Sequence, residues 1–334
     1  MTPYLADANN GNWRTAVRWA HRVAPAWRTI LQSPDMPLAG GKRDGAEAMI
    51  ALHARRSRPA IAQWKRLRPD RGLVVVLTGT DLYRDIPARD ADALASLDDA
   101  DRLVVLQGDA LGHVPASARD KTRVVHQSAR RLAAFADKSG TRLNCLLVAH
   151  LREEKDPATA FEAWRRLPPQ CPATLTIVGA ALDASLGAAA RELALHDRRV
   201  RYLGPRPHGW VRQAIKRAHL LVVPSRMEGG ANVVVEAVTA GTAVLGSRMS
   251  GNVGMLGAEY PGLFDVGDAR GLAALVARAH ADRRFLAILD AHCAALAPRF
   301  APQAERDALL ALLREVQQDV AGRMAAATSF EVTR

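Results

Sequence analysis

The chain has 334 residues, 49% of them hydrophobic and 24% charged, with a formal net charge of +12. That length suits two domains with separate cores, and no apolar run reaches the roughly 18 residues that a membrane span needs. Cys145, Cys171 and Cys293 form no Cys-x-x-Cys pair, which argues against a disulfide framework or a zinc site and for a reducing, cytoplasmic setting. Arginines are spread along the whole chain and aromatics are only 5%, so no basic-aromatic stripe for nucleic acid emerges. The excess positive charge fits a small anionic ligand such as a phosphate or diphosphate.

In chain order, the Trp/Val/Ala spacing of 13–27 predicts a first helix. Short apolar runs then predict strands at 48–53, 73–78, 102–107 and 123–127, followed by 143–149, 174–179, 200–204, 220–225 and 243–247. Most are continuous Val/Leu/Ile runs, as in strands buried on both faces of a parallel sheet. Helical patterns at 61–67, 157–167, 187–196 and 211–218 alternate with them, which predicts doubly wound α/β architecture. The polar stretch 129–142 reads as a linker, and everything past Gly267 reads as helix (269–281, 285–296, 302–324). The expectation is two Rossmann-like domains facing across a cleft. These are 1–130, 142–300, and a terminal segment 301–334 that packs back on the first domain.

In open α/β sheets ligands bind beyond the carboxyl ends of strands. The stretch Ser225-Arg226-Met227-Glu228-Gly229-Gly230-Ala231-Asn232-Val233-Val234-Val235-Glu236 lies there, passing from a strand through a Gly-Gly turn into a helix. Its geometry predicts that the amides of Gly230, Ala231 and Asn232 point at an anion, which the helix dipole also favours. Were the whole spacing helical, Glu228 and Glu236 would stand about 12 Å apart, the span from sugar to ribose in a nucleotide-sugar. The segment Ser250-Gly251-Asn252-Val253-Gly254, after another strand, reads either as a loop that approaches a ligand closely or as a tight turn. Asp99-Ala100-Asp101 precedes a strand and reads as a solvated turn, so no metal site and no bound cofactor are expected.

Glu228 and Glu236 with the intervening glycines resemble the Glu-x7-Glu motif of GT-B glycosyltransferases. The resemblance implies that the first glutamate contacts the donor sugar and the second the ribose. His150-Leu151-Arg152-Glu153-Glu154-Lys155 resembles the diphosphate loop of those enzymes, with Lys155 at the phosphate lysine. His150 stands where they carry arginine, which leaves Arg152 to take that role.

Three N-terminal motifs extend the resemblance: Gly11-Asn12-x-x-Thr15, Leu52-His53-Ala54-Arg55-Arg56-Ser57, and Leu77-Thr78-Gly79-Thr80-Asp81-Leu82-Tyr83-Arg84. With Arg226–Asn232 and Ser250–Gly254 they resemble the selenosugar synthases of selenoneine biosynthesis across nearly the whole chain. The resemblance implies a metal-independent glycosyltransferase that takes UDP-N-acetylglucosamine or UDP-glucose and selenophosphate and makes a 1-seleno-sugar. A selenophosphate-producing enzyme would be its functional neighbour, with no nucleic-acid or membrane partner.

By this reading Glu228, Arg152 and Lys155 are catalytic. Ser225, Arg226, Gly229, Gly230, Ala231, Asn232, Val233, Glu236 and Asn252 bind the donor. Asn12, His53, Arg55, Arg56, Thr78, Gly79, Thr80 and Arg84 bind the acceptor. Thr78 cannot serve as a base near neutral pH. Selenophosphate is already a nucleophile and needs none, whereas it does need positive charge, which Arg55, Arg56 and Arg84 supply. His53 is open between core histidine, base and acceptor contact. The family begins with an apolar strand ahead of the Pro/Asn/Gly loop, where this sequence opens directly at Met1-Thr2-Pro3-Tyr4; either the sequence has a late start or the first sheet is one strand short. A glycosyltransferase with an ordinary hydroxyl acceptor and a non-catalytic nucleotide- or nucleic-acid-binding protein are the rival readings. No strand is followed by Gly-x-Gly-x-x-Gly, which excludes the usual dehydrogenase fingerprint.

Overall fold

The computed structural model describes residues 1–3, 11–36, 45–133, 135, 138 and 140–331, with side chains through 325. The chain divides into two compact units, Met1–Gln127 with Pro302–Arg334, and Ser128–Ala301.

The first unit runs α1 (Gly11–Val23), β1 (Ala48–Leu52), α2 (Arg58–Leu67), β2 (Gly72–Val76), α3 (Ala91–Asp99), β3 (Arg102–Val105), α4 (Ala116–Arg119) and β4 (Thr122–Val124). Its four strands are parallel and lie in sequential order. β2 is fully buried, as its unbroken Gly-Leu-Val-Val-Val run requires. Right-handed crossovers that always step in one direction leave their helices on one face. On that face Ile61 and Trp64 of α2 and Ala93 and Leu97 of α3 meet Leu73 and Val75. The other face is covered from the ends of the chain, by Ala16, Trp19 and Val23 of α1 and by Leu309, Leu312, Leu313 and Val316 of the C-terminal helix. A Cβ on Gly72 would stand 2.2 Å from Val316 Cγ1, so only glycine lets that helix seat here.

Among the described residues no strand precedes β1. Besides β2, Met1 bonds to β1, donating its amino group to Ile50 O and accepting from Leu52 N. Burial pushes that amino group down to about 6. The arginines of α1 do not form a free basic face: Arg18 donates to Glu305, a 1%-exposed carboxylate that also accepts from Trp19 Nε1.

The second unit runs β5 (Leu143–Val148), α5 (Pro157–Arg166), β6 (Ala173–Val178), α6 (Ala184–His196), β7 (Val200–Tyr202), α7 (His208–Arg217), β8 (Leu220–Val223), α8 (Asn232–Ala240), β9 (Ala243–Ser247), α9 (Ser250–Leu256), β10 (Leu263–Phe264), α10 (Ala269–Ala281) and α11 (Arg283–Leu296). The final helix, α12 (Pro302–Glu331), belongs to the first unit. The second sheet is parallel in the order β10-β9-β8-β5-β6-β7, so the direction of winding reverses between β5 and β8. No described helix is long and apolar enough to cross a membrane.

Three readings need correction. Residues 250–254 are neither loop nor tight turn but the opening of α9, whose Asn252 amide is capped by Met249 Sδ at 3.2 Å. Asp101 is not a solvated turn residue. Its carboxylate is 7% exposed, accepts from Leu73 N at 2.7 Å and pairs with Arg323 of α12. The 129–142 stretch is not a detached linker throughout: Ala129 N donates to Phe300 O and Leu132 N to Thr239 O, inside the second unit.

Candidate functional site

The reversal between β5 and β8 opens a crevice at their carboxyl ends, because successive crossovers leave in opposite directions. Both motif loops sit there. The β5 loop carries Leu151, fully buried and bridged to Ala181, then Arg152 and the turn Glu153–Lys155. The β8 loop carries Ser225 to Ala231. The loops are stitched together: the amides of Arg226 and Met227 donate to Glu154 O at 2.9 and 3.3 Å, and Arg226 pairs with Asp156 at 3.1 Å.

The centre of this arrangement is Glu228, whose side chain is 9% exposed. Its Oε1 accepts from Lys155 Nζ in a short ion pair and from Ser225 Oγ at 2.9 Å. Glu228 is wedged against α9, where a Cβ on Gly251 would fall 2.1 Å from Glu228 O. The close approach that the glycine permits is therefore to the glutamate loop itself. Asn252 is fully buried, and its Nδ2 donates to Ser247 O at 3.0 Å, which ties α9 to the end of β9.

Helix α8 starts only at Asn232, with Ala231 extended (φ −77°, ψ 103°), so the helical rise does not apply across the whole Glu228–Glu236 spacing. The expected fan of amides is also modified. Ala231 N–H is buried and donates to Met255 Sδ at 3.2 Å. Among the described residues the amides of Gly229 and Gly230 have no partner. Asn232 and Val233 form the half-buried first turn of α8, and Glu236 lies one turn on. Arg152 is 48% exposed and turns onto Glu154 at 3.7 Å rather than toward Glu228. Lys155 is therefore the cation that the fold brings to the carboxylate.

The first unit gathers a second polar cluster at the ends of β1 and β2. His53 takes φ +74°, an uncommon backbone region for a residue with a side chain. Its imidazole is held at both nitrogens, Nδ1 by Asp81 at 2.7 Å and Nε2 by Thr80 Oγ1 at 2.9 Å. Asp81 is fully buried and also accepts from Thr78 N and Thr78 Oγ1 at 2.8 and 2.9 Å. Asp85, one π turn later, binds Arg55 Nε and Arg84 Nε at 3.0 Å each. Gly79 lies half-buried between the two threonines, and Arg56 is exposed on the turn before α2. Asn12 lies half-buried in the first turn of α1.

His53, Asp81 and Asp85 approach within 4.8 Å of one another, close enough to converge on a cation. Their lone pairs are already directed to the protein's own threonine and arginine donors. The donor set fits a hydrogen-bonded cluster better than a metal centre.

Sequence reading did not single out Asp81 and Asp85 as the anchors of this cluster, although Thr-Gly-Thr-Asp carried the first of them. It also missed His208, 28 residues from Glu236, which meets it at 2.7 Å only through the packing of α7 on α8.

Residues 132–295 match the family described as glycosyl transferases group 1. Sucrose-phosphate synthase from Thermosynechococcus elongatus is similar in structure, with a TM-score of 0.70 at 19% identity over 83% of this chain and 75% of that one. HepE from Anabaena, solved with UDP, gives 0.67 at 18% identity over 80% and 79%. The same protein solved with UDP-glucose gives 0.65 at 17% over 80% and 79%. The lipopolysaccharide outer core galactosyltransferase WaaB gives 0.63 at 18% over 82% and 76%. No curated protein sequence matches the chain. The match to the glycosyl transferases group 1 family falls within the second unit, and the two parallel-sheet, Rossmann-like units have the GT-B fold.

Proposed function

We propose that the chain is a glycosyltransferase that joins selenium from selenophosphate to the anomeric carbon of UDP-N-acetylglucosamine or UDP-glucose. One observation carries the donor half of this reading. At the strand-order reversal, a lysine, a carboxylate and two glycine amides that have no partner among the described residues lie beside a helix start, within the stretch that matches the glycosyl transferases group 1 family. HepE, solved with UDP and with UDP-glucose on a similar fold, supports UDP-sugar as the donor. The N-terminal motifs that resemble selenosugar synthases support selenophosphate as the acceptor.

In this mechanism Lys155, the Gly229 and Gly230 amides and the exposed Arg152 neutralise the departing diphosphate, where fixed dipoles and charges act most strongly. Glu228 accepts a sugar hydroxyl and Glu236 a ribose hydroxyl. A selenium lone pair attacks the anomeric carbon while the bond from that carbon to the UDP oxygen breaks and UDP leaves with its electrons. Water then attacks phosphorus, the P–Se bond breaks, and phosphate and the 1-seleno-sugar are released. Arg55, Arg56 and Arg84 offset the charge of selenophosphate. Positive side chains and amides do the work of a divalent cation, so activity is expected to persist in EDTA.

The test is mass spectrometry of the purified protein with selenophosphate and a panel of UDP-sugars. Selenium-containing sugars are the expected products. Products formed with alcohols but none with selenium would instead establish the second reading, a hydroxyl acceptor. The His53–Asp81 pair favours that reading, because a carboxylate-held imidazole is a competent base.

A further inference from the structure

Helix α7 grips Glu236 at two points one helical turn apart. His208, its first residue, donates Nε2–H to Glu236 Oε1 at 2.7 Å. Arg212, four residues later on the same face, donates Nη1–H to the main-chain carbonyl of Glu236 at 2.6 Å. Its other nitrogen, Nη2, donates to Arg130 O at 2.6 Å. The two residues differ in setting. Arg212 is 8% exposed, and burial pushes its guanidinium below the ordinary value, with the Glu236 carboxylate opposing. It fixes the backbone. The His208 side chain is 47% exposed and that of Glu236 14%, so this pair stands where solvent and solutes can reach it. Among the described residues Glu236 Oε2 accepts no hydrogen bond.

A glutamate has three rotatable side-chain bonds, and one that is free before binding gives up that freedom when it takes a ligand hydroxyl. We propose that His208 is a positioning residue for ribose recognition, locking the Glu236 side chain so that Oε2 is left open to a ribose hydroxyl. The proposal rests on the reading of Glu236 as the ribose ligand. It assigns specificity for a ribonucleotide over a 2′-deoxyribonucleotide to a pair of residues rather than to one glutamate.

UDP and 2′-deoxy-UDP are the probes, with binding to the full chain measured by calorimetry. The native protein is expected to prefer UDP by about tenfold, the value of one hydrogen bond to a charged acceptor. His208→Ala is expected to reduce that preference to about twofold or threefold while leaving 2′-deoxy-UDP affinity unchanged. His208→Gln, which keeps an N–H donor, is expected to restore most of it. Glu236→Ala, which leaves no side-chain acceptor, should abolish it. A His208→Ala protein with full preference, alongside a Glu236→Ala protein without one, overturns the inference and leaves the donor reading standing. Equal affinities for the two probes in the native protein and in Glu236→Ala overturn both. A purely structural link between α7 and α8 would lower thermal stability without moving the ratio, and that result also rejects the proposal.

Discussion

The polar clusters at the strand ends of the two units differ in how much of their hydrogen-bonding capacity the protein itself consumes. In the first unit Asp81 is saturated by Thr78, His53 and the Arg55 amide, and Asp85 by two arginines. In the second, Glu236 Oε2 and the amides of Gly229 and Gly230 remain unfilled among the described residues. Topology accounts for part of this. The first sheet winds in one direction, whereas the second reverses between β5 and β8, and a reversal parts the loops that would otherwise cover the strand ends. A carboxylate whose lone pairs the protein fills holds its neighbouring side chains in place, and one with an open oxygen is left to accept from a ligand.

The largest expected effect tests the open cluster. Lys155→Met removes the charge for the diphosphate and strands Glu228 as an unpaired, mostly buried carboxylate. Turnover of UDP-glucose should fall by about 10²–10³-fold, read as initial rates. If turnover is unchanged, the diphosphate is held elsewhere.

Next comes the closed cluster. Asp81→Ala leaves the Thr78 amide and hydroxyl and the His53 imidazole without their acceptor, which should cost about 3 kcal/mol in urea unfolding. A cost near zero would mean that this cluster is as open as the other.

Gly251→Ala sharpens the contrast inside the second unit. The added methyl meets Glu228 backbone, so about 2 kcal/mol of stability and a weaker grip on UDP are expected together. Loss of stability with UDP affinity intact would separate the glutamate loop from the ligand.

The smallest effect lies far from both clusters. Burial raises the Glu315 carboxyl, but hydrogen bonds from Arg123 and Arg102 outweigh it and hold the group below the ordinary carboxylate range. Because its folded value is depressed, the contribution is present above the unfolded value, about 4.3, and is lost as pH falls through the folded one. Glu315→Gln should cost about 0.5 kcal/mol at neutral pH and nothing at strongly acidic pH, in paired melts.

The β-α alternation was legible because strands such as β2 and β8 are continuous apolar runs that only a two-sided burial explains. β10 escaped notice because its two residues, Leu263 and Phe264, make no run. The start of α6 at Ala184 was missed although its cap is readable in sequence: Asp183 Oδ1 accepts from Ser185 and Leu186 amides. At the site, Glu228 was legible from the strand–Gly–helix context, and Lys155 only from the resemblance of its loop to the diphosphate loop of GT-B enzymes. The reach of Arg152 and the burial of Asn252 were not, since spacing says nothing of which way a side chain turns.

By itself the amino-acid order determined which segments are strands and helices, that the chain holds two α/β units, and where charged and glycine residues follow strands. Those features are local, set by residue type at short range. Only the tertiary structure decided that β5 lies beside β8, that α12 roofs the first sheet, and that Lys155 meets Glu228 while His208 meets Glu236. Each of these pairs elements far apart in the chain, and the geometry of close packing, rather than any local preference, selects them.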